Sequence, residues 1–211
     1  MTAMSTEVDH LVVAADSLEQ GAAWCDRVLG VKPAVGGRHA LMGTHNLLLQ
    51  MSSPTFARAY LEIIAIDPEA PPPGRPRWFG LDDREPGEPR LVQVVARTST
   101  IESHRASFLQ SGIDPGETIP LSRGDLHWQM LLRADGQMPC GLPMLIQWAE
   151  HHPADRLPAS GCHLTHLSVG GIAPAHAAIL NLHGVDATQK EPRAWAATIE
   201  CPKGTITLHS T

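Results

Sequence analysis

The sequence predicts an α+β fold in which repeated β-α-β-β-β units form a curved mixed sheet around a cleft. At three places a β-branched, strand-like run is followed by a capped amphipathic helix that ends at a glycine. Three further strand-like segments follow each of the first two helices, whereas the third unit is cut short. One unit alone leaves a sheet face exposed, so paired units should close around a shared cleft, where ligands are expected.

The first unit spans about residues 8–67. Its first strand is residues 8–15, and Ser17 can cap a helix that begins at Leu18 and ends at Gly30. Three strands are expected after this helix, at residues 32–35, 43–51 and 60–67.

The second unit covers about residues 90–150, and its helix begins near Ile101 and stops at Gly112. Its strands are expected at residues 90–97, 117–121, 125–134 and 142–149. A proline- and arginine-rich segment, about residues 68–89, links it to the first unit.

The truncated third unit covers about residues 163–209. Its helix begins near Pro174 and stops at Gly184, and a hairpin follows at residues 194–200 and 205–208. We expect residues 1–211 to form a single domain.

Composition excludes several classes of protein. The net charge is −6 and the pI is about 6.0, so the chain lacks the basic surface that nucleic acids require. No apolar stretch is long enough to span a membrane and no secretory signal is present, so we expect a cytoplasmic protein. The cysteines are irregularly spaced, which predicts reduced thiols at Cys25, Cys140, Cys162 and Cys201. The 12 histidines offer candidate metal ligands and proton carriers, although His104, His151 and His152 are expected on loops or helix surfaces.

Several motifs together resemble a known family. They are Asp9-His10 in the first strand, Gly36-Gly37-Arg38-His39, Gly43-Thr44-His45-Asn46, Tyr60-Leu61-Glu62 in the fourth strand, and the segment from Leu142 to Trp148. In this combination and order the chain resembles the glyoxalase-like group of the vicinal oxygen chelate superfamily. That resemblance implies a curved sheet of paired units, which often holds one divalent metal. It also implies a metal ligand on the first strand and a carboxylate on the fourth strand of each unit.

His10 and Glu62 match this pattern in the first unit, and they occupy inward positions on strands expected to be neighbours. The second unit departs from it, because Val92 aligns with His10 and the fourth strand offers Leu145 or Gln147 instead of a carboxylate. Aligning the third unit with the first places His166 opposite His10.

A trio of His10, Glu62 and His166 would leave an open coordination position for water. Its mixed imidazole and carboxylate donors suit zinc, iron, manganese or nickel. Glu200 could be a fourth ligand or a general base, or only a surface residue near a turn.

Candidate ligand-binding residues are Arg38, His39, Asn46, Gln147 and Trp148. The glycine-rich motifs could instead be ordinary turns with polar hairpin residues. The tryptophans could be core or cleft wall.

Two functions stay open. One is a metal-dependent lyase, isomerase or dioxygenase that acts on a small carbonyl, enediol or hydroxylated compound. The other is a metal-free protein that binds or sequesters a small apolar molecule in a tryptophan-lined cleft. Either could be a monomer or a homodimer.

Overall fold

A computed structural model describes residues 4–138, 141–188 and 194–210 of the chain. The first unit forms β1 (Glu7–Ala14), α1 (Leu18–Leu29), β2 (Ala34–His39), β3 (Thr44–Gln50) and β4 (Tyr60–Ile66). The second forms β5 (Arg90–Arg97), α2 (Ile101–Gln110), β6 (Glu117–Arg123), β7 (Leu126–Leu132) and β8 (Met144–Trp148). The third forms β9 (His163–Gly170), α3 (Pro174–Leu180), β10 (Val185–Thr188), β11 (Trp195–Cys201) and β12 (Gly204–His209). Short 3-10 helices occupy Trp78–Gly80 and Pro153–Asp155.

The first two units share one strongly curled sheet of eight strands, in the order β2-β3-β4-β1-β5-β8-β7-β6. Each unit contributes its strands in the same spatial order, and β1 and β5 pair antiparallel at the centre. The curl brings the two edge strands, β2 and β6, to face each other. This arrangement confirms the predicted curved mixed sheet of repeated units.

Local signals in the sequence set the position of α1. The Ser17 hydroxyl accepts a hydrogen bond from the Gln20 N–H at 3.2 Å, and Gly30 ends the helix with a left-handed φ of 78°. Within the helix, a Cβ on Gly21 would lie only 2.3 Å from Cγ2 of Ile63 on β4. Glycine therefore lets α1 pack closely on β4, the strand that carries Glu62.

The third unit forms a separate mixed sheet in the order β10-β9-β11-β12. Its first strand, β9, pairs parallel with β10, whereas β1 of the first unit pairs parallel with β4. The strand β10 is not predicted from the sequence pattern. The helix before it ends at Asn181, which has a left-handed φ of 43°, and not at Gly184. The third unit therefore repeats the order of elements but not the pairing of its strands.

One continuous hydrophobic core joins the two sheets and includes residues of all three units, such as Leu11, Val94 and Leu167. Cys25, Cys162 and Cys201 are free thiols, as predicted, and Cys140 lies outside the described residues. Within the described ranges, no helix is long and apolar enough to cross a membrane.

Candidate active site

A cleft opens on the concave face of the eight-stranded sheet and holds about 350 Å³ of empty space, its mouth included. The first unit lines it mainly with polar side chains, the second unit mainly with large apolar ones, and the linker adds two aromatic rings. The lining residues are His10, His39, Asn46, Tyr60, Glu62, Trp78, Phe79, Arg123, Trp128, Met130, Ile146 and Trp148. Its apolar walls with a few converging polar groups are typical of a small-molecule site.

A bulge in β1 brings Asp9 and His10 together. The register of β1 against β5 shifts between Val8 and His10, so Asp9 is an extra residue in the ladder. Its carboxylate accepts a hydrogen bond from Nδ1 of His10 at 2.6 Å. This bond turns Nε2 of the imidazole towards the cleft, where Nε2 lies 3.3 Å from Oε2 of Glu62. The sequence therefore places a histidine between two carboxylates.

Asp9 has no exposed surface, and its charge is held by three donors. Besides His10, the indole Nε1–H of Trp148 and the Nε2–H of His152 each donate to Oδ2 at 2.9 Å. Burial alone would raise the pKa of Asp9, but the hydrogen bonds from His10 and His152 hold that pKa well below its ordinary value. Asp9 is therefore a carboxylate that orients His10.

His10 and Glu62 stabilise each other's charged forms. Burial opposes charge on His10, but its hydrogen bonds with Asp9 and Glu62 raise its pKa from 6.5 to about 9. Burial likewise opposes charge on Glu62, but His10 and an Asn46 hydrogen bond lower its pKa to about 2. At neutral pH the cleft thus holds a proton-bearing imidazolium beside a carboxylate, within 3.3 Å.

A second set of polar groups surrounds the other oxygen of Glu62. Nδ2 of Asn46 donates to Oε1 of Glu62 at 2.5 Å, while Oδ1 of Asn46 accepts from Nη1 of Arg123 at 3.2 Å. The same Nη1 lies 3.2 Å from Nε2 of His39, which must accept because a guanidinium only donates. Burial lowers the pKa of His39 to about 4, so this ring is neutral.

The two adjacent glycines of β2 leave the room that this network occupies. A Cβ on Gly36 would lie 2.0 Å from Oδ1 of Asn46, and a Cβ on Gly37 would lie 2.5 Å from Cδ of Arg123. The Gly37 N–H also donates to Oδ1 of Asn46 at 2.9 Å. These glycines lie inside strand β2. The alternative that Gly36 and Gly37 form a turn is therefore wrong.

Five of the predicted site residues lie together in the cleft: His10, His39, Asn46, Glu62 and Trp148. Two do not line it. Arg38 points outward, is 59% exposed in its side chain, and pairs with Glu69 at 2.5 Å and Asp67 at 3.2 Å. Gln147 faces away from the cleft, because side chains alternate along a strand and its neighbours Ile146 and Trp148 both line the cleft. The Oε1 atom of Gln147 accepts a hydrogen bond at 3.0 Å from the N–H of Ile101, the first residue of α2.

The predicted metal trio is not assembled, because His166 lies on the smaller sheet. Its side chain is half exposed and its nearest acidic partner is Asp186, at 3.7 Å. The alignment with His10 fails because β9 pairs with β10 and β11, whereas β1 pairs with β4 and β5. Glu200 is an exposed residue of β11 in the same smaller sheet, so it does not line this cleft either.

His10 and Glu62 alone have the orientation of metal ligands. A histidine whose Nδ1–H is held by a carboxylate is a common arrangement around a metal. However, catalytic zinc usually has three protein ligands, and the described residues contain no group of three His, Cys, Asp or Glu side chains placed to hold a metal. On the second unit, the cleft-facing residues of β8 are Ile146 and Trp148, neither of which is a carboxylate. The donor set therefore does not fit a metal held by three or more side chains.

Sequence reasoning missed Arg123, which lines the cleft, and His152, which does not line the cleft but bonds to Asp9. His152 was expected on the surface but is 2% exposed and bonded to Asp9. Arg123 lies at the end of β6 in a Ser-Arg-Gly-Asp stretch that is typical of an ordinary turn. The sequence contains only a partial signal for Arg123. Two adjacent glycines in a strand indicate that another group packs closely against the strand, but they do not identify that group.

Comparisons with known proteins agree with this architecture. A model of the glyoxalase-like domain matches residues 8–185. The chain belongs to the glyoxalase-like domain family. This family is part of the vicinal oxygen chelate superfamily, which confirms the resemblance seen in the sequence. No curated protein matches the sequence of this glyoxalase-like chain.

The similar solved structures have low sequence identity to this chain, and the first of them shows the same fold. A hypothetical protein from Staphylococcus aureus is 14% identical, with a TM-score of 0.55, and the match covers 98% of this chain and 86% of that one. A methylmalonyl-CoA epimerase in complex with methylmalonyl-CoA is 17% identical with a TM-score of 0.47, covering 70% of this chain and 98% of that one. The epimerase from Mycobacterium tuberculosis is 18% identical with a TM-score of 0.42, covering 67% and 85%.

Proposed function

We propose that this glyoxalase-like protein is an enzyme that moves a proton on a small carbonyl or hydroxylated compound in its cleft. The observation that carries the proposal is the buried chain Asp9–His10–Glu62, in which a proton-bearing imidazole and a carboxylate lie 3.3 Å apart at the cleft surface. Two groups of opposite protonation state, both oriented by neighbours, are the requirement for paired acid and base catalysis.

The roles follow from the hydrogen bonds. Glu62 would accept a proton from the carbon beside a substrate carbonyl, and His10 would donate one to the carbonyl oxygen, which gives an enol. Reversal of these two transfers returns a proton to the same carbon and restores the carbonyl, so the net result is exchange of that hydrogen with solvent. Asn46 fixes the Glu62 carboxylate through Oε1, which leaves Oε2 facing His10. Asp9 keeps His10 turned towards the cleft.

The resemblance implies a metal, but His10 and Glu62 are the only two described residues oriented like metal ligands in the cleft. The proposed proton transfers therefore use these side chains alone. The experiment therefore includes both conditions. Protein treated with EDTA, and the same protein with zinc, manganese, iron or nickel added, is incubated in D2O with hydroxyacetone, pyruvate and lactate. NMR follows the replacement by deuterium of the hydrogens on the carbon next to the carbonyl or carboxyl group.

Exchange above the buffer rate in the wild-type protein, abolished in Glu62→Gln, would support the proposal. The control is Glu69→Gln, which makes the same change at an exposed carboxylate outside the cleft. Exchange that appears only with one added metal would mean that the reaction is metal-dependent after all. Absence of exchange for compounds that bind the cleft would contradict an enzymatic function.

The aromatic walls favour a second candidate, a metal-free binding or sequestration protein. The indoles of Trp128 and Trp148 lie 5.2 Å apart, and Trp78 and Phe79 stack at 5.3 Å. Such surfaces bind flat apolar molecules without any chemistry. This candidate predicts that an aromatic ligand raises the melting temperature equally with and without EDTA, and that Glu62→Gln keeps this effect.

A further inference from the structure

Arg123 connects the two edges of the curled sheet by its side chain. It is the last residue of β6, and its Nη1 reaches His39 on β2 and Asn46 on β3, each at 3.2 Å. Its path runs directly over Gly37, where a Cβ would lie 2.5 Å from Cδ and 3.1 Å from Nε of the arginine. Because residue 37 is glycine, the side chain of Arg123 can pass over β2 and reach the cleft.

This guanidinium differs in its partners from most other arginines of the described chain, although Arg75 and Arg90 also form no ion pair among the described residues. Nine of them form ion pairs with carboxylates: Arg27, Arg38, Arg58, Arg77, Arg84, Arg97, Arg105, Arg133 and Arg156. Arg123 meets two neutral acceptors, the ring of His39 and the amide of Asn46, through one nitrogen. Within the described ranges, Nη2 and Nε of Arg123 form no hydrogen bond to the protein. The N–H donors of these two nitrogens are thus available to a ligand.

The carboxylates of the cleft have other partners, which keeps them from pairing with Arg123. Asp9 accepts from His10, Trp148 and His152. The amide of Asn46 stands between Arg123 and Glu62, since its oxygen faces the arginine and its nitrogen faces the glutamate. The positive charge of Arg123 is therefore not neutralised within the cleft by a direct ion pair.

The N–H donors that Arg123 leaves without an acceptor indicate a ligand that brings oxygen atoms.

We propose that Arg123 binds the carboxylate of the substrate, so that the cleft accepts a small monocarboxylate with a flat apolar body. A carboxylate matches the guanidinium fork with two parallel hydrogen bonds. The body of such a ligand would pack against Trp128 and Trp148, which line the cleft. This inference rests on the proposed function, because it names the substrate class of the same cleft.

The test compares two ligands that differ only in charge. Benzoylformate and its amide have the same phenyl ketone body, and neither carries a hydrogen on the carbons beside the ketone, so binding is measured without turnover. Isothermal titration calorimetry at neutral pH should show the acid binding at least about tenfold more tightly than the amide. Equal affinities in the wild-type protein, or no binding of the acid at millimolar concentration, would overturn the proposal, whether or not any variant folds.

Two arginine variants then locate the preference. Arg123→Gln should reduce the acid-to-amide ratio to about one, whereas Arg38→Gln should leave it unchanged. Arg38 is a matched control, because it has the same charge and lies on β2 but points away from the cleft. If Arg123 only held the sheet edges together, Arg123→Gln would weaken both ligands equally, and that result would refute a role in recognition.

Failure of this inference can be told apart from failure of the proposed function. A preference for the acid without any proton exchange would mean that the anion site is real and the enzymatic proposal is wrong. Proton exchange that depends on Glu62, combined with equal affinity for acid and amide, would mean that the enzymatic proposal is right and the anion site is wrong.

Discussion

Replacing Asp9 by asparagine tests the electrostatic account of the cleft directly. The change keeps the shape of the side chain but removes the charge that His10, Trp148 and His152 all donate to. Hydrogen bonds with Asp9 and Glu62 together raise the pKa of His10 from 6.5 to about 9, so about 3 kcal/mol, at 1.36 kcal/mol per pKa unit, is the upper limit of what Asp9 contributes through the His10 charge. Removing one partner of a buried charged pair costs a similar amount, about 3 to 5 kcal/mol.

The expected loss depends on pH in a defined direction. A raised pKa means that the folded state holds the His10 proton more tightly, so this stabilisation is complete below about pH 6.5 and is lost as the pH rises through about 9. Asp9→Asn should therefore cost up to about 3 kcal/mol near pH 6. Near pH 9.5 it should cost only about 1 kcal/mol, from the hydrogen bonds that do not depend on the His10 charge.

Urea unfolding followed by tryptophan fluorescence measures both free energies of unfolding. Asp67→Asn is the control, because Asp67 is also buried, at 3% exposed, but pairs with Arg38 outside the cleft. Its cost should not fall over the pH range in which His10 titrates. A cost of Asp9→Asn that is the same at both pH values, or below about 0.5 kcal/mol near pH 6, would refute the assigned charge state of His10.

Three further outcomes are expected. Gly36→Ala should destabilise the protein by about 1 to 3 kcal/mol in urea unfolding, because the new Cβ would lie 2.0 Å from Oδ1 of Asn46; wild-type stability would mean that Asn46 is not locked there. In a double-mutant cycle with His10→Ala and Glu62→Ala, the two stability losses should fall short of additivity by about 1 to 3 kcal/mol, since the groups share one contact; additive losses would separate them. His166→Ala should change neither ligand affinity nor metal binding, and a change in either would return this residue to the site.

The local signals of the sequence were sufficient for the elements of the larger sheet. Ser17 and Gly30 mark the two ends of α1, and the inward phase of His10 and Glu62 follows from the two-residue period of neighbouring strands. Both depend on residues close together in the chain or on a repeated unit. The pair at the centre of the cleft was therefore predictable.

The remaining features depend on contacts between distant parts of the chain. The third unit repeats the element order, but its strand pairing follows from how β9 and β10 pack, which no local pattern encodes. For this reason His166 was aligned with His10 and yet lies on another sheet. Arg123 enters the cleft only because the curl brings β6 to β2, and His152 reaches Asp9 across more than one hundred residues of chain.

The polar and the apolar residues of the cleft lie mainly on different halves of the curled sheet, and this separation has an evolutionary consequence. The groups proposed to transfer the proton, His10 and Glu62, lie on β1 and β4, whereas Trp128, Met130 and Ile146 on β7 and β8 form the apolar wall. Substitutions in that wall can reshape the cleft without touching the acid and base. Related proteins that act on different compounds should then diverge first at positions 128, 130 and 146, and a duplicated gene could acquire a new substrate while its chemistry stays intact.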